Sequence, residues 1–354
     1  LRPLKGFLAL VAAGGVGLLG VRAYAFLTSG GRLPGPAPAV EPERRAAINA
    51  ECERCHEAQA AQWRGSRHHA AFTNAAFQRA YQVEPTTFCR DCHAPESARR
   101  ESAEGDELGI GCVTCHLAGE AVLAAPSRDG EGLRIAPHRL ERSADFGSSG
   151  ACAGCHEFGF GDDARREEPA WMQRTVSEHA ESGSSESCAG CHMPRGSHDF
   201  GSTRRPEAHR AALEATADRT SPTAITLTLT PRGVGHAYPT GDLFRRVALR
   251  AEVVGDDGEE RASKVVYLAR RFEDEPARLG PPLRVERADD RVPSGASKRV
   301  ELDLGPPAID RVIHWTVTYE RVLSVRDGAF DSALIDDAIL LHAGASEAPH
   351  ERVR

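Results

Sequence analysis

One pentapeptide, present five times, constrains this chain more than any other feature. The copies are Cys52-Glu53-Arg54-Cys55-His56, Cys89-Arg90-Asp91-Cys92-His93, Cys112-Val113-Thr114-Cys115-His116, Cys152-Ala153-Gly154-Cys155-His156 and Cys188-Ala189-Gly190-Cys191-His192. The spacing has a chemical use. Two thiols three positions apart can each form a thioether to one vinyl group of a haem, and the adjacent imidazole can swing onto the iron. One such motif also suits a zinc half-site or a redox dithiol. Five of them, consuming all ten cysteines, point to five covalently attached c-type haems. The cysteines are then the attachment residues, and His56, His93, His116, His156 and His192 the proximal iron ligands.

At 354 residues the chain has room for about two domains. Its formal charge of -7, deepened by haem propionates, argues against a nucleic-acid partner. Among 44 basic residues only Lys5, Lys264 and Lys298 are lysine, and arginines in the motif-bearing half suit bidentate pairing with propionates. Arg2 and Lys5 precede an apolar run over 6–20, then Val21, Arg22 and Ala23-Tyr24-Ala25. Residues 1–28 therefore read as a signal peptide or as an uncleaved N-terminal membrane anchor. Either reading exports the remainder, to the periplasm or to a periplasm-facing position on the inner membrane. Residues 29–42, with Pro34, Pro36, Pro38 and Pro42, form a linker.

The motif-bearing segment is expected over 43–220. It leaves fewer than thirty residues per haem between Cys52 and His192. That is too little protein for an ordinary apolar core, so the haems must themselves be the core, wrapped in short helices and loops. Helices are expected over 70–82, 165–181 and 206–218. After 221 the pattern changes to period two, with strands expected over 223–230, 246–254, 264–271, 298–304, 312–322 and 337–342. The fold class is α+β: a haem-packed helical domain followed by an antiparallel, immunoglobulin-like β-sandwich over 221–345, with a tail over 346–354.

The second axial ligand decides what each iron does. Met172 and Met193 are the only methionines, and Met193 adjoins proximal His192, so methionine cannot serve most sites. Ten histidines remain after the five proximal ones. One of His68 and His69, with His68 preferred, His138, His179, His198, His209 and His236 are the distal candidates. His198 lies six residues after His192, too close to close the same iron comfortably, so it should serve a neighbour. His314 reads as a packed strand residue, and His342 and His350 as bystanders.

Three further patterns accompany the motifs: Trp63-x-x-Ser66-x-His68, Gly109-Ile110-Gly111, and Cys191-His192-Met193-Pro194 followed by His198. Together, from Ala50 to about Gly201, they resemble multihaem cytochromes related to the tetrahaem partner of hydroxylamine oxidoreductase. The loop Gly235-His236 with Pro239-Thr240-Gly241 looks like one in β domains fused to such cytochromes. The resemblance implies haems stacked in parallel or at right angles, mostly bis-histidine, sometimes with one five-coordinate iron. This chain departs by having five motifs instead of four and an added sandwich. It has no C-x-x-C-K, so the lysine-ligated catalytic haem of pentahaem nitrite reductases has no counterpart.

Two functions compete. The first is electron transfer through mostly bis-histidine, low-potential haems between redox protein partners, other cytochromes included, with the sandwich as a docking module. The second is oxidoreduction of a small nitrogen or sulfur compound at a five-coordinate haem, with Tyr81 and His69 as the suggestive neighbours. The first needs only closed irons, whereas the second needs an open one.

Overall fold

The computed structural model describes residues 41–83, 85–126, 136–160, 170–201, 205–276, 283–326 and 329–348. The expected signal or anchor and nearly all of the linker lie outside them. No described helix is long and apolar enough to cross a membrane.

Helix α1 (Pro42–Cys55) opens on a proline in its first turn, where the missing N–H costs nothing. It is followed by α2 (Glu57–Arg64), α3 (Ala75–Val83), α4 (Thr87–His93), α5 (Ala103–Leu108) and α6 (Cys112–His116). Strands β1 (Leu117–Ala118), β2 (Ala121–Ala124) and β3 (Leu140–Arg142) make a small sheet after the third motif. Helix α7 (Ala153–His156), the ribbon β4 (Glu157–Gly159) with β5 (Trp171–Arg174), then α8 (Thr175–Glu181), α9 (Cys188–His192) and α10 (Pro206–Ala212) complete this half.

The remainder is strand: β6 (Leu213–Arg219), β7 (Ala224–Pro231), β8 (Arg245–Val254), β9 (Glu260–Leu268), β10 (Arg270–Glu275), β11 (Leu283–Asp289), β12 (Lys298–Asp303), β13 (Ile313–Arg326) and β14 (Ala329–Ser346). One sheet has the order β12-β7-β6 and the other β14-β13-β8-β9, all antiparallel. That is the A-B-E against G-F-C-C′ arrangement of an immunoglobulin-like sandwich. Strands β10 and β11 form a separate ribbon inserted between β9 and β12. Alternation along β7 puts Ile225, Leu227 and Leu229 inward, each fully buried against Val247, Leu249 and Val317 of the facing sheet.

The α+β class and the sandwich agree with the sequence reading, but several elements differ. The first expected helix starts at Ala75, because Asn74 Oδ1 accepts from the N–H groups of Ala76 (3.1 Å) and Phe77 (3.2 Å) and caps it there. Residues 171–174 pair with β4 and so are strand, and helix begins only at Thr175. Residues 161–169 of that expected helix lie outside the described set. The third ends at Ala212: Leu213–Arg219 pairs along β7, and its period-two burial outweighs its alanine content. The hairpin β6–β7 therefore straddles the expected division after residue 220. The strand expected over 264–271 is split at Ala269, where pairing passes from β8 to the β10–β11 ribbon. The last expected strand is the middle of the much longer β14.

The two halves differ in packing. The sandwich has one continuous core, whereas the buried apolar cluster of the helical half is Trp63, Leu108 and Val113, with Ile48 and Leu117 alongside. Leu227→Ala should lower stability by about 2–5 kcal/mol through lost burial and a residual cavity. Denaturant unfolding followed by β-sheet circular dichroism checks this. A loss under about 0.5 kcal/mol, as at a surface position, would contradict the core assignment.

Candidate metal centres

Each motif lies on a short helix or at a helix end. The i, i+3 spacing puts both cysteines on one face and carries the histidine just beyond. Helix starts are fixed locally: Thr86 Oγ1 accepts from Cys89 N–H at 3.4 Å, and Ser187 Oγ from Gly190 N–H at 3.2 Å. The ten cysteines form no disulfide.

Four motif histidines face a second histidine. The ring centroids of His56 and His138 are 6.5 Å apart, His156 and His68 6.3 Å, His116 and His198 6.2 Å, and His192 and His236 6.3 Å. Imidazole nitrogen binds a first-row metal at about 2.0–2.1 Å, and the centroid lies about 1.1 Å behind the nitrogen, so two rings across one metal stand about 6.3 Å apart. All four pairs fit that span. Among the described residues no three His, Cys, Asp or Glu side chains converge as a metal site. Two imidazoles are an incomplete ligand set, and the remaining four positions are those that a haem macrocycle would supply.

The imidazoles are oriented from behind. Nδ1 of His93 meets Ala71 O at 2.8 Å, that of His116 meets Leu123 O at 2.8 Å, that of His198 meets Gly196 O at 2.8 Å, and that of His236 meets Ala237 O at 3.1 Å. His156 Nδ1 pairs with the Gln173 amide at 3.0 Å. The four carbonyls accept from Nδ1–H, which fixes those tautomers and leaves Nε2 for metal. Burial lowers the imidazole pKa of His93, His116, His192 and His236, and takes His68 to about 3 and His156 to about 4. All six are neutral at pH 7, the form that binds metal. Two buried guanidinium N–H groups, Arg90 Nε and Arg174 Nε, have no partner among the described residues and suit a propionate.

The patterns around His68 have a mechanical reason. The Trp63 indole donates to Ile110 O at 2.7 Å, and Ile110 N–H donates to His68 O at 2.9 Å. Gly109 has φ +58°, and a Cβ there would stand 2.6 Å from His68 O and 2.3 Å from His69 O, so only glycine allows this approach. Helix α6 is clamped to α1 by buried groups. Arg45 forks onto Glu96 at 2.5 and 3.0 Å and reaches Val113 O at 2.9 Å, while Thr114 Oγ1 donates to Glu96 at 2.9 Å.

His68, His138, His198 and His236 thus stand opposite motif histidines, and His198 faces His116 of the third motif instead of its neighbour in sequence, His192. Two expected candidates do not. His179 turns its Nε2 to Glu186 O at 2.8 Å, across the turn through Gly183. His209 bonds the Tyr238 hydroxyl at 2.9 Å and lies 4.6 Å from the Tyr319 ring, packed on the sandwich because α10 ends early. His69 lies edge-on to Trp63 at 4.5 Å.

The second motif is the exception. Among the described residues no histidine ring faces His93; Phe77 stacks on it at 3.8 Å, and Phe77 stacks in turn on Tyr81. The charges of Asp242 and Arg321, both from the sandwich, act on it. Asp242 pairs with Arg245 at 3.2 Å, and Arg245 also bonds Tyr319. Burial alone would raise the Asp242 carboxyl, but Arg245 and Arg321 hold it below its ordinary value. The sequence gives no signal for this group or for Gln173, since their neighbours are distant in the chain.

Residues 51–117, spanning the first three motifs, match the family model described as cytochrome c554 and c-prime. No curated protein matches the chain. Among solved structures, a penta-heme cytochrome c552 from Thermochromatium tepidum superposes with a TM-score of 0.64 at 19% identity, covering 86% of this chain and 99% of that one. This establishes a shared fold across both halves.

The lowered histidines predict a direction for acid unfolding. The unfolded imidazoles protonate below about pH 6.5 while the folded ones stay neutral, so stability contributed by them falls as pH drops from 6.5 towards the folded values near 3 and 4. The slope is at most about 1.4 kcal/mol per pH unit for each imidazole. Denaturant midpoints at pH 7, 5.5 and 4.5 should decrease in order, and a flat profile would contradict neutral burial.

Proposed function

We propose that this chain is an exported pentahaem c-type cytochrome that passes electrons between redox protein partners, other cytochromes among them. The observation that carries the reading is the four histidine pairs at iron-spanning separation, each containing one motif histidine. Haem bound between two imidazoles supplies one-electron chemistry. The chain's residues hold the imidazoles neutral, fix their tautomers and exclude water. Its motifs also adjoin. Cys52 is close to Cys112 and Cys115 to Cys152, while the Cys152 thiol touches Cys188 and Cys92 touches Cys155. Motifs one, three and four thus follow one another, and motifs two and five both adjoin four, which gives a continuous branched path.

A second reading, reaction of a small nitrogen or sulfur compound at the second motif, is favoured by the lack of a histidine facing His93 among the described residues. Tyr319, Arg245, Arg321 and Asp242 would supply a proton source and positive charge for an anionic ligand. The export reading rests on residues 1–28 and on haem attachment outside the inner membrane.

Potentiometric titration followed by EPR tests the assignment. Four low-spin irons of low potential and one high-spin iron that takes CO are expected, and His198→Ala should add a second high-spin iron. Five low-spin irons without CO binding would end the enzymic reading. Predominantly high-spin or methionine-ligated iron would overturn the electron-carrier reading.

A further inference from the structure

His236 is brought to the fifth motif from the other half of the molecule. The residues after it are tied down one by one. Tyr238 exchanges both backbone hydrogen bonds with Val292, at 2.8 and 2.9 Å. The Pro239 carbonyl accepts from Arg291 at 3.2 Å. Thr240 Oγ1 donates to Glu178 Oε2 at 2.7 Å and shares a 3.0 Å hydrogen bond with Thr175. Arg291 then closes the set, binding Glu178 Oε1 at 2.6 Å and Asp289 at 2.6 Å.

Glu178 belongs to α8 of the helical half, whereas Thr240 and Arg291 belong to the sandwich. The side chains of Arg291 and Glu178 are only 4% and 6% exposed. A buried ion pair of this kind contributes little net stability compared with an apolar pair of the same volume. It does demand one geometry, because Glu178 displaced from Arg291 is left buried without a charged partner, whereas Arg291 keeps Asp289. The sandwich already has its own continuous core and does not need Glu178 to fold. What the network fixes is the position of the segment that follows His236, relative to the helix that precedes the fifth motif.

We infer that Glu178, Arg291 and Thr240 are positioning residues that seat His236 opposite His192, so that the sixth ligand of the fifth iron depends on the docking of the sandwich against the helical half. The inference rests on the haem-ligation reading above. It makes the spin state and the ligand access of one particular iron respond to substitutions that touch neither haem nor histidine.

The test uses the full pentahaem protein, with EPR spin counting and CO binding followed by flash photolysis. His236→Ala is the reference and should add one high-spin, CO-binding iron to the wild-type count. Thr240→Val and Arg291→Met should raise the same signal, with faster CO binding at that iron, because loss of a partner that orients a metal ligand weakens binding to the metal by about 10- to 100-fold. Arg291→Lys, which keeps the charge but not the fork, should fall between wild type and Arg291→Met. Millimolar imidazole should return the iron to low spin in every variant. Because Arg291→Met strands Glu178 and can unsettle the interface, Thr240→Val, which removes one hydroxyl, is its companion. An unchanged spin count in His236→Ala would remove the ligand assignment itself. A changed count there, with wild-type CO kinetics in both Thr240→Val and Arg291→Met, would overturn the positioning role alone.

Discussion

Two imidazoles that share a metal must face each other from opposite sides and stop about 6.3 Å apart. Nearly everything in the helical half follows from meeting that distance four times. Its own apolar cluster is too small to specify a fold. Position is fixed by directional contacts instead: backbone carbonyls behind Nδ1, the Trp63 indole on Ile110, and the Arg45 fork on Glu96. Hydrogen bonds suit this task better than apolar packing does, because they restrict angle as well as distance. The consequence is a segment whose residues are chosen for reach and orientation more than for burial.

The sandwich solves the opposite problem. Its core is continuous, its strands alternate cleanly, and it folds around leucine, valine and isoleucine. This rigidity makes it useful to its neighbour. A ligand carried on a loop between two anchored strands can be held in place by a body that needs no haem. The Glu178–Arg291 pair is the point where the two logics meet: one charge from each half, both buried, with Glu178 paired only when the halves are in register.

Sequence reading recovered the fold features that depend on short period. The alternation of Thr226, Leu227, Thr228 and Leu229 identifies a strand with one buried face, and the C-x-x-C-H spacing singles out ten cysteines and five histidines without any fold. It failed where a distant partner decides. Leu213–Arg219 reads as helix by its alanines but is strand because β7 lies beside it. His179 and His209 looked like ligands from their nearness to the motifs, yet Glu186 and Tyr238 hold them. His236, by contrast, is remote in sequence but lies in a segment of glycine and proline that stood out as a built loop.

The second motif shows why a missing ligand can be read only in three dimensions. Counting histidines suggests a surplus, so any one iron left open would seem an accident of number. Phe77 covers one face of the His93 ring, within an aromatic cluster with Phe72 and Tyr81, while the charges of Asp242 and Arg321 from the sandwich act on the same histidine. The segment that leaves β7 and enters β8 therefore treats two motifs differently. It carries His236 to the fifth and, six residues later, Asp242 to the neighbourhood of the second. The stretch that completes one centre places charge near the centre that has no facing histidine. Any movement of the sandwich against the helical half must then be felt at both.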